Sequence, residues 1–479
     1  MNYSLLAAVP LLLLLVISLT KGVKPAIYLA LIVTAVLYFV WDSTIQAFFA
    51  SFIAAGVDTV SILLIVFGAV FLYQTMDDKG FLQNIQQSLS NIHPDRDFRF
   101  FFLAIFLTAF FESVAGFGTP GAIVPLLLIT MGYSGVTSIS VVLLIDGLFA
   151  ISGAVGTPVN IGFVSPLGFS PEAVKDIYFL SSILIFFAAV VVFVFVGYFV
   201  QKESCSNRMH LFRLFLMIMI PLVAFSFYLE DLTGLLASAF MALLSYFFLF
   251  QDRKIDLRPW IPYGLLVLIL LLPKLIRPLA VLLSADLNFN GIFGTRVDAS
   301  LQPLRSPFIP FLIVSVIAAL MARDLTFSFK PVFKKVFNVF LILFPSLAIT
   351  RLMLSSGSEI PSMVETLAAV FVTTGNAYPL LSPFIGVLGA FMTGSTTVSN
   401  VIFGPVQYSA AGILSVEPEQ ILALQLAGAS LGNAVCLFNI IAAAAVVGID
   451  NYSAILKKNL LPVFLASLLM GILGYFFSR

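Results

Sequence analysis

Two acidic residues, Glu112 and Asp146, lie within long apolar stretches of this chain. A carboxylate inside a bilayer costs roughly 2.5–3.5 kcal/mol unless it is paired or protonated. A carboxyl group in that position is suited to binding and releasing a proton. Each residue could instead cap a broken helix through a structural hydrogen bond. The sequence therefore offers two candidates for a proton-carrying group and leaves the structural alternative open for both.

Glu112 is followed directly by a segment of small and helix-breaking residues. This segment, 113–121, reads Ser-Val-Ala-Gly-Phe-Gly-Thr-Pro-Gly, and a related stretch at 153–158 reads Gly-Ala-Val-Gly-Thr-Pro. A second pair of such segments lies at 393–400, Thr-Gly-Ser-Thr-Thr-Val-Ser-Asn, and at 431–439, Leu-Gly-Asn-Ala-Val-Cys-Leu-Phe-Asn. All four interrupt apolar sequence, where exposed backbone cannot face lipid. Such breaks indicate buried, unwound backbone that lines a cavity.

The spacing within the two pairs is nearly the same. Gly116 precedes Gly153 by 37 residues, and Gly394 precedes Gly432 by 38. This repetition predicts two copies of one device, each made of a re-entrant hairpin and a broken helix. Each copy would supply half of a binding site.

The residue types in these segments suit a small organic anion. Helix N-termini at hairpin tips point backbone N–H groups at a negative charge, and hydroxyls and amides add further donors. The alternatives are that the small residues only permit close helix packing and that the amides only bridge freed backbone. The predicted substrate-binding residues are Gly116, Gly118, Thr119, Thr157, Asn160, Ser395, Thr396, Thr397, Asn400, Asn433 and Asn439.

Composition restricts the class of protein. The 479 residues are 61% hydrophobic and 10% charged, and the mean hydropathy is +1.10, as expected for a polytopic membrane protein surrounded by lipid. A net charge of +1 provides no basic surface for nucleic acid. With two histidines and two cysteines, the chain is poorly supplied for a metal-dependent or histidine-based enzyme. We expect no catalytic residues, no metal and no cofactor.

The apolar runs predict an all-α fold with roughly 12–14 transmembrane helices. The expected first half is 1–250, with its hairpin and broken helix at about 98–165. The second half is 251–479, with the inverted counterpart at about 380–449. Loops rich in Lys and Arg are placed in the cytoplasm. The two hairpins then start from opposite sides of the membrane, as inverted repeats require.

Three further features have alternative interpretations. The segment 44–57, with Gly56 and then Asp58, could be a short membrane span, but an interfacial helix is favoured. Asp58 could be a third acid of the site, but a position at the interface is favoured. Arg351 lies near the second hairpin and could pair with a substrate carboxylate. The favoured interpretation is that Arg351 is an anchor whose charged end extends to the membrane surface.

The four interrupted segments resemble those of the L-lactate permease family. The resemblance follows the chain in order and is most specific at 115–123, 153–158, 393–400 and 432–440. It implies import of lactate and glycolate with protons across a bacterial or archaeal plasma membrane. It also implies paired re-entrant hairpins in a wider ion-transporter superfamily whose members often work as elevator-type homodimers.

Two positions depart from the family pattern. The second hairpin usually carries an acid where this chain has Thr396, and the first broken helix usually carries Asn where it has Asp146. The leading hypothesis is proton-coupled symport of a small 2-hydroxymonocarboxylate such as L-lactate or glycolate. The alternative is a Na⁺-coupled carrier of another organic anion, such as a dicarboxylate, because unwound carbonyls, Thr and Asn also bind Na⁺.

Overall fold

A computed structural model describes residues 3–89, 92–116, 118–203, 208–251, 256–283, 287–301, 303–304, 306–357 and 360–477. The helices of the first half are α1 Tyr3–Lys21, α2 Val23–Val40, α3 Ile45–Asp78, α4 Phe81–Leu89, α5 Arg96–Val114, α6 Thr119–Thr130, α7 Gly135–Phe149, α8 Gly153–Val159, α9 Ser165–Leu167, α10 Pro171–Gln201, α11 Arg208–Leu229 and α12 Thr233–Phe248. Those of the second half are α13 Ile261–Leu275, α14 Arg277–Leu282, α15 Phe308–Met321, α16 Phe329–Ser355, α17 Met363–Phe371, α18 Tyr378–Thr393, α19 Thr396–Leu414, α20 Pro418–Gly432, α21 Leu437–Val447 and α22 Tyr452–Phe477.

The apolar composition produces helices because each buries its backbone polar groups within itself. Among the described residues, seven helical stretches are long and apolar enough to cross a membrane, and five shorter ones are apolar. The described strands are β1 Leu287–Phe289 and β2 Ala299–Leu301, which form a two-stranded antiparallel sheet between α14 and α15. The fold is therefore the expected all-α membrane architecture.

The two re-entrant hairpins, α5/α6 and α18/α19, run in opposite directions. At the end of the molecule where α7 begins, the Lys458 Nζ of α22 donates to Thr137 Oγ1 at 2.6 Å. At the other end, Phe169 follows the first broken helix, and its ring lies 5.4 Å from that of Tyr408 near the end of α19. The chain therefore approaches the first hairpin from one side and the second from the other, as the inverted repeats predict.

The prediction of an interfacial helix at 44–57 is wrong. Residues 45–78 form one continuous helix of 34 residues, α3, which packs against α15 and α16. Gly56 does not interrupt it, because an isolated glycine in a helix costs only about 1 kcal/mol relative to alanine. Packing against two neighbours outweighs that cost.

Elements from the two halves pack against each other throughout. Helix α3 of the first half packs with α16 of the second, and α10 packs with α20. Helix α19 lies against the π-helical turn Asn160–Val164 that follows α8. The boundary expected at 250/251 falls between α12 and α13. The binding region is consequently assembled from both halves.

Candidate functional site

A small polar pocket lies where the two hairpin tips meet the two broken helices. The volume open to the centre of a water molecule is about 40 Å³, which is roughly the room that three water molecules need. It suits a solute of a few heavy atoms. Its described lining residues are Glu112, Gly116, Gly118, Asp146, Ala150, Gly153, Ala154, Thr157, Pro158, Gly394, Ser395, Thr396, Thr397, Asn433 and Asn439. No Lys, Arg or His occurs among them.

Both hairpin tips turn through glycines in the left-handed conformation. Gly118 has φ 76° and directly precedes α6, and Gly394 has φ 76° and ends α18. In the second tip, Ser395 caps α19 by accepting a hydrogen bond from Val398 N at 3.3 Å. Helices α6 and α19 therefore both direct their N-termini at the pocket, and their partial positive charge favours an anion there.

The first broken helix carries unusual backbone geometry beside the pocket. Ala154, Val155 and Gly156 all have positive φ, at 44°, 52° and 79°. A residue with a side chain in this region costs about 1–3 kcal/mol, and a β-branched one is a clear outlier. Strain of this kind persists where surrounding contacts enforce it, and here it separates α7 from the polar turn that carries Thr157.

Glu112 and Asp146 meet within the pocket. Both residues line it and are 5% and 4% exposed, and their carboxyl groups lie close enough to interact. Two ionised carboxylates repel each other, and the described lining holds no cation to pair with either of them. A proton shared by the pair would relieve that repulsion.

The second broken helix supplies a group of linked amides and hydroxyls. Asn433 Nδ2 donates to Thr396 Oγ1 at 3.1 Å, and Asn439 Nδ2 donates to Asn433 O at 3.3 Å. The hydroxyl oxygens of Thr157 and Thr397 are 3.4 Å apart and join the two halves of the pocket. These side chains provide the neutral donors and acceptors that a hydroxy acid requires.

Two buried polar atoms of pocket residues have no hydrogen-bond partner among the described residues. They are Asp146 Oδ1 and Asn433 Oδ1. Buried polar groups are usually satisfied, and each exception needs a physical reason. Both residues line the cavity through other atoms, so these two oxygens mark places where the polar lining is not fully satisfied. The family departures Asp146 and Thr396 also lie in this one pocket.

The pocket brings together ten of the thirteen residues proposed from sequence for binding and proton coupling. The three others, Thr119, Asn160 and Asn400, do not line it. Thr119 is buried and donates its N–H to Gly116 O at 3.0 Å, closing the hairpin turn. Asn160 is exposed at the start of the π-helical turn. Asn400 is fully buried and donates to Pro158 O at 3.0 Å, so its amide is used within the protein.

Arg351 is neither a surface anchor nor a pocket residue. Its Nε and Nη2 both lie 2.8 Å from Asp58 Oδ2, and the side chains are 12% and 3% exposed. The other carboxylate oxygen, Asp58 Oδ1, accepts from Ser165 Oγ at 2.7 Å. Both predictions, an interfacial Asp58 and a surface-anchored Arg351, are therefore wrong. The pair satisfies its charges internally and connects α3 and α16 to Ser165, where α9 begins after the first broken helix.

A methyl group at position 153 is expected to disrupt the carboxyl pair. A Cβ added to Gly153 would overlap Glu112 Oε1, so the flexible end of the Glu112 side chain would have to move away. Because the moved carboxyl no longer faces Asp146, Gly153→Ala should reduce uptake by roughly tenfold, which corresponds to about 1.4 kcal/mol of lost interaction. Uptake into vesicles measures this. Gly264→Ala in α13, where a Cβ meets nothing within 4 Å, is the matched control, and equal uptake by both variants would contradict the expectation.

Paired interrupted helices around a polar pocket define a multi-pass membrane protein of the transporter class. Comparison with known sequences narrows this class, since the profile of the L-lactate permease family matches residues 3–262 and 257–478. The chain belongs to the L-lactate permease family. This membership and the apolar helices are consistent with a multi-pass protein of a bacterial plasma membrane.

Similar proteins share low identity over most of their length. A putative L-lactate permease of Haemophilus influenzae is 24% identical and covers 98% of this chain and 97% of its own length. The glycolate permease GlcA of Escherichia coli is 22% identical, covering 80% and 78%. Among solved structures, the YdaH transporter of Alcanivorax borkumensis aligns over 98% of both chains with 14% identity and a TM-score of 0.40.

Proposed function

We propose that this protein is a proton-coupled symporter of small 2-hydroxymonocarboxylates such as L-lactate or glycolate. The observation that carries the proposal is the pair of buried carboxyls, Glu112 and Asp146, in one pocket with two helix N-termini. The names of the similar permeases support this substrate class. The homodimer implied by the family resemblance stays a prediction.

The chemistry of the pocket explains why an anion and a proton would bind together. The N-termini of α6 and α19 attract the carboxylate of the substrate, whereas ionised carboxyls at 112 and 146 would repel it. A proton on the pair removes a charge and makes binding of the anion favourable. The hydroxyls of Thr157 and Thr397 can then bind the 2-hydroxyl group of the substrate.

The size and charge of the pocket favour a monocarboxylate. Room for about three water molecules suits a small hydroxy acid. A dicarboxylate would bring a second negative charge to a lining that, among its described residues, contains two acids and no basic side chain. Leaving that charge unpaired in a buried site is costly.

Uptake into proteoliposomes tests the proposal. With an inward proton gradient and no Na⁺ gradient, labelled lactate and glycolate should accumulate about tenfold per pH unit if one proton accompanies each anion. An imposed Na⁺ gradient alone should drive no accumulation, and a dicarboxylate should not accumulate. Protein-free vesicles are the control. Accumulation driven by Na⁺, or accumulation of the dicarboxylate, would contradict the proposal and support the Na⁺-coupled alternative.

A further inference from the structure

A series of buried side-chain hydrogen bonds runs from α18 towards the pocket. Tyr378 Oη donates to Gln407 Oε1 at 2.5 Å, and Gln407 Nε2 donates to Gln425 Oε1 at 2.9 Å. Gln425 Nε2 then donates to Ser399 Oγ at 3.2 Å and Asn400 Oδ1 at 3.3 Å. These five side chains are all 0% exposed. All five belong to α18, α19 or the adjoining α20, so this series of hydrogen bonds lies within the second repeat.

The last hydrogen bond of this series crosses from one repeat to the other. Asn400 Nδ2 donates to Pro158 O at 3.0 Å, and Pro158 lines the pocket in the first broken helix. Asn400 also packs directly on Gly162, where an added Cβ would overlap the Asn400 Cβ. The side chain is thus held by its own hydrogen bonds and by the backbone it contacts.

The position of this bond links it to the substrate pocket. Thr397 lies three residues before Asn400 on α19, about one helical turn away on the same face. Thr157 directly precedes Pro158. The hydroxyls of Thr157 and Thr397 are 3.4 Å apart across the pocket, so the bond between Asn400 and Pro158 constrains the separation of these two hydroxyls.

We propose that Asn400, oriented by Gln425, is a positioning residue that sets the distance between the two halves of the binding site. Asn400 does not contact the substrate. Its effect on affinity rests on the proposed function of the pocket, but its effect on geometry does not. Without it, Thr157 and Thr397 separate, and a site that needs both hydroxyls binds its solute less tightly.

Disulfide formation between the two halves tests the geometry directly and requires no substrate. Thr157→Cys and Thr397→Cys are combined in a chain whose two native cysteines are replaced by serine. Oxidation should link them readily, and adding Asn400→Ala should slow the reaction about tenfold. Gln425→Met, which leaves Asn400 in place but unsupported, should slow it less. Thr34→Val is the control, since the buried Thr34 hydroxyl donates to Ala30 O in its own helix.

Uptake measurements separate a positioning role from direct contact with the substrate. In the chain with native threonines, Asn400→Ala should raise the KM for lactate about tenfold with little change in maximal rate, while Thr34→Val changes neither. A raised KM with an unchanged cross-linking rate would mean that Asn400 contacts the substrate and would overturn the inference. An unchanged cross-linking rate in both Asn400→Ala and Gln425→Met would also overturn it. If the unsubstituted protein transports no lactate, the proposed function fails, and cross-linking alone decides the positioning role.

Discussion

Glu112→Gln is expected to abolish proton-driven accumulation of lactate while leaving lactate exchange across the membrane measurable. Glutamine keeps the size of the side chain and can still hydrogen bond to Asp146, but it cannot take up a proton. The pocket would then bind the anion without the coupled proton. Accumulation in proteoliposomes with an inward proton gradient should fall to the level of protein-free vesicles.

Asp146→Asn is the matched variant for this experiment, because Asp146 is the other member of the carboxyl pair. Accumulation that persists in Asp146→Asn but not in Glu112→Gln would assign the proton to Glu112. Loss in both variants would mean that the pair acts as a unit. Full accumulation by Glu112→Gln would show that this carboxyl does not carry the proton.

Asp58→Asn should produce the largest loss of stability. It leaves the Arg351 guanidinium, 12% exposed, without its charged partner, and breaking a buried ion pair by removing one member costs about 3–5 kcal/mol. Thermal unfolding of the purified protein should show a clear fall in the midpoint. The double variant Asp58→Asn/Arg351→Met removes the stranded charge and should recover part of the loss.

An exposed aspartate on the same helix provides a control for that experiment. Asp78 Oδ1 accepts a hydrogen bond from Gln74 Nε2 at 2.7 Å on the exposed surface of α3, where water can replace the interaction. Asp78→Asn should therefore lower the unfolding midpoint much less than Asp58→Asn. If the double variant at 58 and 351 is less stable than Asp58→Asn alone, the buried pair does not act as described.

The hairpins could be predicted from the sequence because the residues that form each turn are neighbours in the chain. Glycine, proline and short polar residues within apolar stretches have few structural explanations in a membrane, and the spacing of Gly116 to Gly153 and Gly394 to Gly432 identified the repeat. The distribution of Lys and Arg among the loops then predicted that the two hairpins have opposite orientations in the membrane. Eight pocket residues could be named from these segments because a break in a helix and the polar side chains around it lie close together in the chain. Glu112 and Asp146 could be named because acidic residues are rare in apolar sequence.

Contacts between distant parts of the chain could not be predicted in the same way. Asp58 and Arg351 are 293 residues apart, and Asp58 was interpreted as an interfacial residue because its partner was unknown. The Asn400 amide could equally contact a solute or the backbone, and only tertiary structure places Pro158 O beside it. Gln425 lies six residues before the segment 431–439 and outside all four interrupted segments, although a glutamine in the apolar part of a helix is a signal that could have identified it.

Proton uptake on lactate binding tests the central claim most directly. Isothermal titration of the purified protein at neutral pH, repeated in buffers of different ionisation enthalpy, counts the protons taken up with each anion. The proposed coupling predicts about one proton per lactate, and none in Glu112→Gln. Binding of lactate with the same enthalpy in every buffer would contradict it, because the anion would then bind without a proton.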